Sequence, residues 1–186
     1  IAFDINASCS GFLFALHTAD AFIRAGTIQK ALVVAAEVKS RFVNPKDPET
    51  GYLFGDGAGA VVLTGTNDET SGDILWRTLG TDGSRHSWII LPAGGSRRPT
   101  TSETLSENAN SMKLDGRRIF RAAVRGMEGT LREALTGTGI GIEKISLFLF
   151  HQANLRILRK VAKDLLIPER KIPMTMEDWE KRLSGF

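Results

Sequence analysis

The stretch Asp4-Ile5-Asn6-Ala7-Ser8-Cys9-Ser10-Gly11-Phe12 constrains the fold most, because it joins two different apolar patterns. Before it, Ile1–Phe3 is apolar and strand-like. After it, apolar residues recur at helical spacing, namely Phe12, Leu16, Ala19 and Ile23. The sequence therefore predicts a strand that turns into a helix at Cys9, with the helix running to about Ala25 and capped by Gly26.

Cys9 is the only cysteine of the chain, and it precedes the predicted helix. A helix N-terminus offers unpaired N–H groups and partial positive charge, and both favour a thiolate. Gly11 lets the backbone pass close to a ligand. A lone cysteine is also commonly a small buried hydrophobe, so this stretch alone leaves a nucleophile and a structural residue both open.

Composition narrows the class of protein. With 186 residues and 42% hydrophobic residues, the chain suits one domain or two small subdomains that share a core. One cysteine excludes an internal disulfide, which is typical of a reducing compartment. No apolar run is long enough for a membrane span, no signal peptide is visible, and a net charge of +3 does not favour nucleic acid. A strand-like start without Met predicts that an upstream portion is missing.

The first part of the chain predicts a sheet with both faces covered. Ala31–Ala36 is an unalternating apolar run, typical of a fully buried strand. Phe54–Leu63 is Gly-rich and ends in the strand-like run Ala60–Leu63. Because these glycines precede a strand and no Gly-Lys-Ser/Thr is present, we exclude a dinucleotide fingerprint and a P-loop. We expect a tight turn that enters a buried strand.

The later part predicts a second unit of strands and helices. Ile74–Leu79 is a predicted strand, and Gly80–Leu114 is a long irregular stretch. We expect His86 in this stretch to be a surface residue, with a catalyst as the alternative. A helix starts at Gly116, and Ser146–Phe150 is a predicted buried strand. The helix has an apolar face made by Phe120, Val124, Met127, Leu131 and Leu135. The order of elements predicts an α/β chain of two units that resemble halves of a repeat.

His151 follows a predicted buried strand and starts a third helix, as Cys9 follows the first strand. That helix turns Leu158, Val161, Ala162 and Leu165 inward. Ligands bind near strand ends in such sheets, so we expect Cys9 and His151 to face one cavity. A Cys/His pair can perform nucleophilic acyl chemistry, and Asn154 could add an amide donor. The alternative for His151 is a residue that caps the helix.

The same helix carries a basic face, made by Arg156, Arg159, Lys160 and Lys163. Their spacing of i, i+3, i+4 and i+7 places four cations on one stripe. Such a stripe either only solvates the helix or docks an acidic partner that carries the substrate.

Three segments together resemble β-ketoacyl-acyl-carrier-protein synthase III, the initiating condensing enzyme of bacterial-type fatty acid synthesis. They are Asp4–Phe12, Phe54–Ala60 and His151–Ile157, and the resemblance runs to about Pro173. It implies a partial α/β fold of the thiolase-like, layered α-β-α-β-α kind. Residues 1–70 would be the later part of the N-terminal half, and residues 71–186 the early part of the C-terminal half.

The resemblance also implies roles for the site residues. Cys9 would be acylated by an acyl-CoA primer, and His151 would assist the decarboxylation of malonyl-acyl-carrier protein, whose carbanion attacks the Cys9 thioester. Asn154 matches a position near the pantetheine tunnel, and Arg156, with Arg159 and Lys160 beside it, would dock the acidic carrier protein. The family needs no metal or bound cofactor, forms homodimers and is cytoplasmic.

The chain departs from the family pattern at both ends. The resemblance implies about half a repeat before Ile1 that this sequence does not include, and Met176–Phe186 contains no Gly-Asn-Thr-Ser motif with the family's third catalytic residue. Loss of one preorganised donor can cost about 10²–10³ in rate, so we expect impaired condensation while self-acylation of Cys9 survives. Two alternatives stay open: a related polyketide or acyltransferase homologue, and a non-catalytic remnant that binds carrier protein.

Overall fold

A computed structural model describes residues 1–47, 50–51, 53–66 and 72–175. The chain forms two compact units. The first unit comprises Ile1–Thr81 and Leu91–Met112, and the second comprises Asp82–Ile90 and Lys113–Phe186. The predicted boundary between residues 70 and 71 lies outside the described residues and stays a prediction, as does what we expected of residues 176–186.

The first unit is built on one helix and one antiparallel strand pair. Helix α1 spans Gly11–Arg24 and packs against strand β1, Lys30–Val38, which pairs with strand β2, Asp56–Thr64. The predicted end of the first helix is confirmed, because Gly26 follows it in a left-handed conformation with φ 70°. A short helix α2, Ser102–Ser106, completes the unit.

The predicted strand at Ile1–Phe3 is wrong, because these residues form no hydrogen-bonded ladder. Phe3 instead places its ring edge-on to Phe22 of α1, with 6.2 Å between ring centroids. Phe3 nevertheless stays 58% exposed, so this single ring contact covers only part of its apolar surface.

Strand β1 lies where the sequence predicts it, but the prediction that it is fully buried is wrong. Val33 is 5% exposed, whereas Leu32 is 68% exposed and its cross-strand partner Val62 is 67% exposed. Alternate residues of a strand point to opposite faces. The described residues therefore cover one face of this two-stranded sheet and leave the other in contact with solvent.

The predicted glycine turn before β2 is also corrected. Strand β2 starts at Asp56, so Gly57 and Gly59 lie inside it, opposite Glu37 and Ala35 of β1. A Cβ atom added to either glycine meets nothing within 4 Å, so close packing does not require glycine at these positions in this structure. The strand is exposed along nearly all of its length rather than buried.

Ile74–Leu79 forms no strand, contrary to prediction. Side chains rather than a ladder hold this segment: Arg77 pairs with Asp20 of α1 at 3.0 Å, and Arg24 donates to the carbonyl of Ile74 at 3.2 Å. Asp20 is 6% exposed and also accepts from Arg24 Nε at 2.9 Å. A strand needs a neighbouring strand with which to exchange backbone hydrogen bonds. Here arginine side chains bind the segment instead, and no ladder forms.

The second unit pairs a long helix with a short one. Helix α3 spans Gly116–Thr138 and packs on helix α4, Leu155–Asp164; strand β3, Ile89–Ile90, pairs with strand β4, Lys113–Leu114. The predicted irregular stretch of residues 80–114 is thus interrupted by β3, α2, β4 and a 3₁₀ turn. His86 is exposed, in agreement with the surface prediction.

The predicted apolar faces of α3 and α4 are confirmed. Val124 of α3 forms a buried cluster with Ile157 and Val161 of α4, and Leu158 and Val161 have no exposed surface. Asp115 caps α3 by accepting from the Arg118 N–H at 3.1 Å. The helical spacing of the apolar residues therefore sets how α3 and α4 meet.

The predicted buried strand at Ser146–Phe150 is wrong. Phe148 is 5% exposed and donates its N–H to the Lys171 carbonyl at 2.8 Å, but Leu149 is 77% exposed. One hydrogen bond to a neighbouring segment does not make a ladder, and only alternate side chains reach the core. No helix within the described residues is long and apolar enough to cross a membrane.

Candidate active site

Cys9 lies in a sharp turn at the start of α1. The 3₁₀ turn Ser8–Ser10 closes with a hydrogen bond from the Ser10 N–H to the Ala7 carbonyl at 3.1 Å, and α1 follows at once. Ser8 has φ 48°, a left-handed conformation that is uncommon for a residue with a side chain. Cys9 is exposed, which argues against the buried hydrophobe and leaves its thiol accessible to a substrate.

His151 and Asn154 occupy the irregular segment before α4. His151 is exposed and lies directly after Phe150. Asn154 is the N-cap of α4: its Oδ1 accepts from the Arg156 N–H at 2.8 Å. The alternative in which His151 caps this helix is therefore wrong, because Asn154 performs that role.

A cavity of about 690 Å³ opens where the first turns of α3 and α4 face each other. It is lined by Gly116, Arg117, Phe120, Arg121, Asn154 and Arg156. Asn154 and Arg156, which the sequence predicts to bind substrate or carrier protein, both line this cavity, and their roles stay predictions. The cavity is open and its exposed lining is mostly apolar, with Phe120 as one wall, while three arginines and no carboxylate stand among the described lining residues. These cations can bind an anionic group such as a phosphate.

The sequence analysis did not predict that residues of α3 line this cavity. Arg117 and Arg121 are four residues apart and therefore lie on one face of α3. That spacing was a usable signal, but only the packing of α3 on α4 shows that this face meets Asn154.

Arg159 and Lys160, also predicted to bind the carrier protein, lie further along α4 and do not line the cavity. Together with Arg156 and Lys163 they are exposed, as the spacing of the stripe predicts. Lys160 Nζ contacts both carboxylate oxygens of Asp164 at 2.5 Å. This hydrogen bond holds the pKa of Asp164 below its ordinary value, and the pair partly neutralises the stripe.

The predicted site residues are divided between the two units. Cys9 belongs to the first unit, whereas His151, Asn154, Arg156, Arg159 and Lys160 belong to the second. The prediction that Cys9 and His151 face one cavity stays a prediction. In the described part of the chain, no group of three or more His, Cys, Asp or Glu side chains could hold a metal ion.

Two family models match the chain. The model of 3-oxoacyl-[acyl-carrier-protein] synthase III matches residues 3–83, which include Cys9. The model of the C-terminal part of the same enzyme matches residues 135–179, which include His151 and the whole of α4. Together the two models match more than half of the chain, in the order expected for the family.

Curated relatives agree with these models. β-Ketoacyl-[acyl-carrier-protein] synthase III of Roseiflexus castenholzii is 40% identical over 176 residues, which are 95% of this chain and 53% of the relative. The enzyme of the same name from Aquifex aeolicus is 38% identical over 178 residues, or 96% of this chain and 52% of the relative. The chain spans about half the length of the curated relatives it matches.

Solved structures of the same enzymes confirm the predicted α/β fold of the thiolase-like class. The synthase III structure from Aquifex aeolicus superposes with a TM-score of 0.79 at 40% identity, covering 92% of this chain and 50% of that one. The structure from Pseudomonas aeruginosa has a TM-score of 0.81 at 34% identity, again covering 92% and 50%. By both family models and by these likenesses, the chain belongs to the 3-oxoacyl-[acyl-carrier-protein] synthase III family.

Proposed function

We propose that this chain belongs to an acyltransferase that condenses an acyl-CoA primer with malonyl-acyl-carrier protein and so initiates fatty acid synthesis. The observation that carries the proposal is the arginine-lined cavity beside Asn154 and Arg156. A phosphopantetheine arm, shared by CoA and carrier protein, has an anionic phosphate and a narrow uncharged chain. Arginines suit the phosphate, and Phe120 with the Asn154 carboxamide suits the chain.

Cys9 carries the first half-reaction. Its thiolate attacks the thioester carbonyl carbon of the acyl-CoA, a bond forms between Sγ and that carbon, and the CoA thiolate leaves and takes up a proton. The exposure of Cys9 and its place directly before α1 support this role, because the N–H groups of the first helical turn favour negative charge nearby.

His151 serves the second half-reaction. The malonyl group loses CO₂, and the electron pair of the broken bond becomes a carbanion stabilised on the thioester oxygen. The His151 imidazole donates a hydrogen bond to that oxygen. The carbanion attacks the Cys9 thioester carbon, releases the Cys9 thiolate and leaves a β-ketoacyl group on the carrier protein.

The exposed cations of α4 would receive the carrier protein itself. Arg156 lies at the cavity, and Arg159 and Lys160 extend the basic surface away from it. An acidic partner gains association rate and orientation from such a stripe. A homodimer and a cytoplasmic location complete the proposal, with no nucleic-acid partner, and the family relationship supports both.

Intact-protein mass after incubation with acyl-CoA primers tests the first half-reaction. We expect one acyl adduct per chain, lost in the Cys9→Ala variant. The matched reaction with Ser10→Ala should give the same adduct as the unmodified chain, because only the neighbouring hydroxyl is removed. A folded protein that forms no adduct with any primer would contradict the catalytic role of Cys9. The remaining hypothesis would then be a non-catalytic chain that binds carrier protein.

Carrier-protein docking is tested by reversing one charge at a time. Arg156→Glu should weaken the binding of acyl-carrier protein more than Arg170→Glu, because both residues are exposed but only Arg156 lines the cavity. Surface plasmon resonance at two salt concentrations measures both effects. Equal losses in the two variants would mean that only net charge matters, and would contradict docking at the cavity.

Polyketide priming is a second candidate, favoured by one comparison. The priming β-ketosynthase from the R1128 polyketide biosynthetic pathway is 30% identical, with a TM-score of 0.73 over 92% of this chain and 50% of that one. The two candidates share the Cys9 chemistry and differ in primer and carrier. Comparing Cys9 acylation rates across a panel of acyl-CoA primers, and condensation with carrier proteins of both pathway types, separates them.

A further inference from the structure

Gln152, between His151 and Asn154, uses its whole side-chain amide in hydrogen bonds. Its Nε2 donates to the carbonyl of Phe150 at 3.1 Å and to the carbonyl of Pro173 at 3.0 Å. Its Oε1 accepts from the N–H of Thr175 at 3.3 Å. Both donor hydrogens and the acceptor are engaged, on a half-buried side chain.

These bonds join segments that are far apart in the chain. Phe150 is two residues away, whereas Pro173 and Thr175 are 21 and 23 residues away. The side chain therefore ties the segment that carries His151 to the segment that follows α4. A carboxamide is suited to this, because it supplies two donors toward two carbonyls and one acceptor toward an N–H.

The tied segment has no regular secondary structure, although Phe148 and Phe150 pack into the core. Residues 145–154 form neither helix nor strand, so no regular ladder sets the backbone around His151. Upstream, the Phe148 N–H bonds to the Lys171 carbonyl at 2.8 Å, and downstream Asn154 caps α4. Between these two contacts, the side-chain amide of Gln152 holds the backbone next to His151. We call its hydrogen bonds the Gln152 brace.

We infer that Gln152 is a positioning residue that holds the His151 segment in the orientation needed for decarboxylation. It acts through His151 and does not touch the substrate. The catalytic consequence rests on the proposed function, whereas the positioning itself does not, and the two are tested separately.

Nuclear magnetic resonance of the histidine rings tests the positioning in the full chain. The chain has three histidines, so the ring signals of His17, His86 and His151 can be assigned and followed across a pH titration. We compare Gln152→Leu, which removes every side-chain hydrogen bond of this residue, with Gln152→Glu, which keeps the shape and the oxygen that accepts from Thr175 but loses both donors. Gln29 is the other glutamine of the chain and is exposed, so Gln29→Leu serves as the matched control.

We expect both Gln152 variants to shift the ring signals and the pH profile of His151, and to leave those of His17 and His86 unchanged. The Gln29 variant should change none of the three. A His151 profile that matches the unmodified protein in both Gln152 variants would overturn the inference. If neither variant folds, hydrogen exchange on the unmodified chain tests the inference instead. Protection of the Thr175 amide and of the Gln152 side-chain amide would support the brace, and free exchange of both would refute it.

Half-reactions test the catalytic consequence. In Gln152→Leu, release of CO₂ from malonyl-carrier protein should fall by about 10²-fold, the size of effect that a displacement of about 1 Å can cause. Acylation of Cys9 by acyl-CoA should stay unchanged. An equal fall in both half-reactions would indicate a general folding defect and overturn the inference. Absence of Cys9 acylation in the unmodified chain would instead contradict the proposed function, and the histidine spectra would still decide the positioning.

Discussion

Asn154 has two roles that can be separated by substitution. Its Oδ1 accepts from the Arg156 N–H at 2.8 Å and so caps α4, while the residue also lines the arginine-rich cavity. Asn154→Ala removes the cap and the carboxamide together. Asn154→Ser keeps a capping oxygen, because serine is about as good an N-cap as asparagine, but loses the carboxamide of this cavity-lining residue.

The expected magnitude follows from the cap. Loss of an asparagine N-cap costs about 1 kcal/mol, within a range of about 0.5–2 kcal/mol. Helix α4 carries Leu158 and Val161, neither of which has exposed surface, so its first turn cannot fray without loosening the core of the second unit. For a unit of this size, about 1 kcal/mol corresponds to a fall in melting temperature of about 4–8 °C.

Urea unfolding followed by circular dichroism measures stability, and titration with acyl-carrier protein measures binding. We expect Asn154→Ala to lower both, and Asn154→Ser to keep stability near that of the unmodified chain while binding falls as much as in the alanine variant. A serine variant as unstable as the alanine variant would refute the capping argument. A serine variant that binds normally would refute a role for the carboxamide.

Two further predictions concern the second unit. Leu158→Ala should lower the free energy of unfolding by about 2–5 kcal/mol, because the side chain is fully buried, whereas Leu149→Ala, at a residue that is 77% exposed, should change it by less than about 0.5 kcal/mol. Urea unfolding checks both, and similar losses in the two variants would contradict the burial argument. Burial, followed by a hydrogen bond with Asp164, raises the pKa of Glu128, so Glu128 contributes stability that is present below its ordinary pKa and is lost as the pH rises through the raised pKa. Glu128→Gln should therefore gain stability over the unmodified chain as the pH rises above the ordinary pKa of a glutamate, and a stability difference that does not vary with pH would contradict this.

The helices were predictable because their signals are local. The 3.6-residue spacing of Phe120, Val124 and Met127 predicted the buried face of α3, and Gly26 predicted the end of α1. The segments around Cys9 and His151 also identified the family, since those residues stand in a fixed local order that does not depend on how the chain folds.

Strands and burial were not predictable, because they depend on partners elsewhere in the chain. Ile74–Leu79 and Ser146–Phe150 have strand-like composition, but arginine side chains and a single backbone bond hold them instead of ladders. Leu32 is apolar, as a core residue would be, yet it is exposed because the described residues cover only one face of its sheet.

The sequence by itself determined the positions of helices α1, α3 and α4, the place of Cys9 before α1, and the basic stripe of α4. Only the tertiary structure decided which residues surround Asn154, since Arg117 and Arg121 reach the cavity through the packing of α3 on α4. It also revealed the bonds of Gln152 to Pro173 and Thr175. The physical reason is that helix periodicity and capping act over a few residues, whereas cavities and braces join segments that only folding brings together.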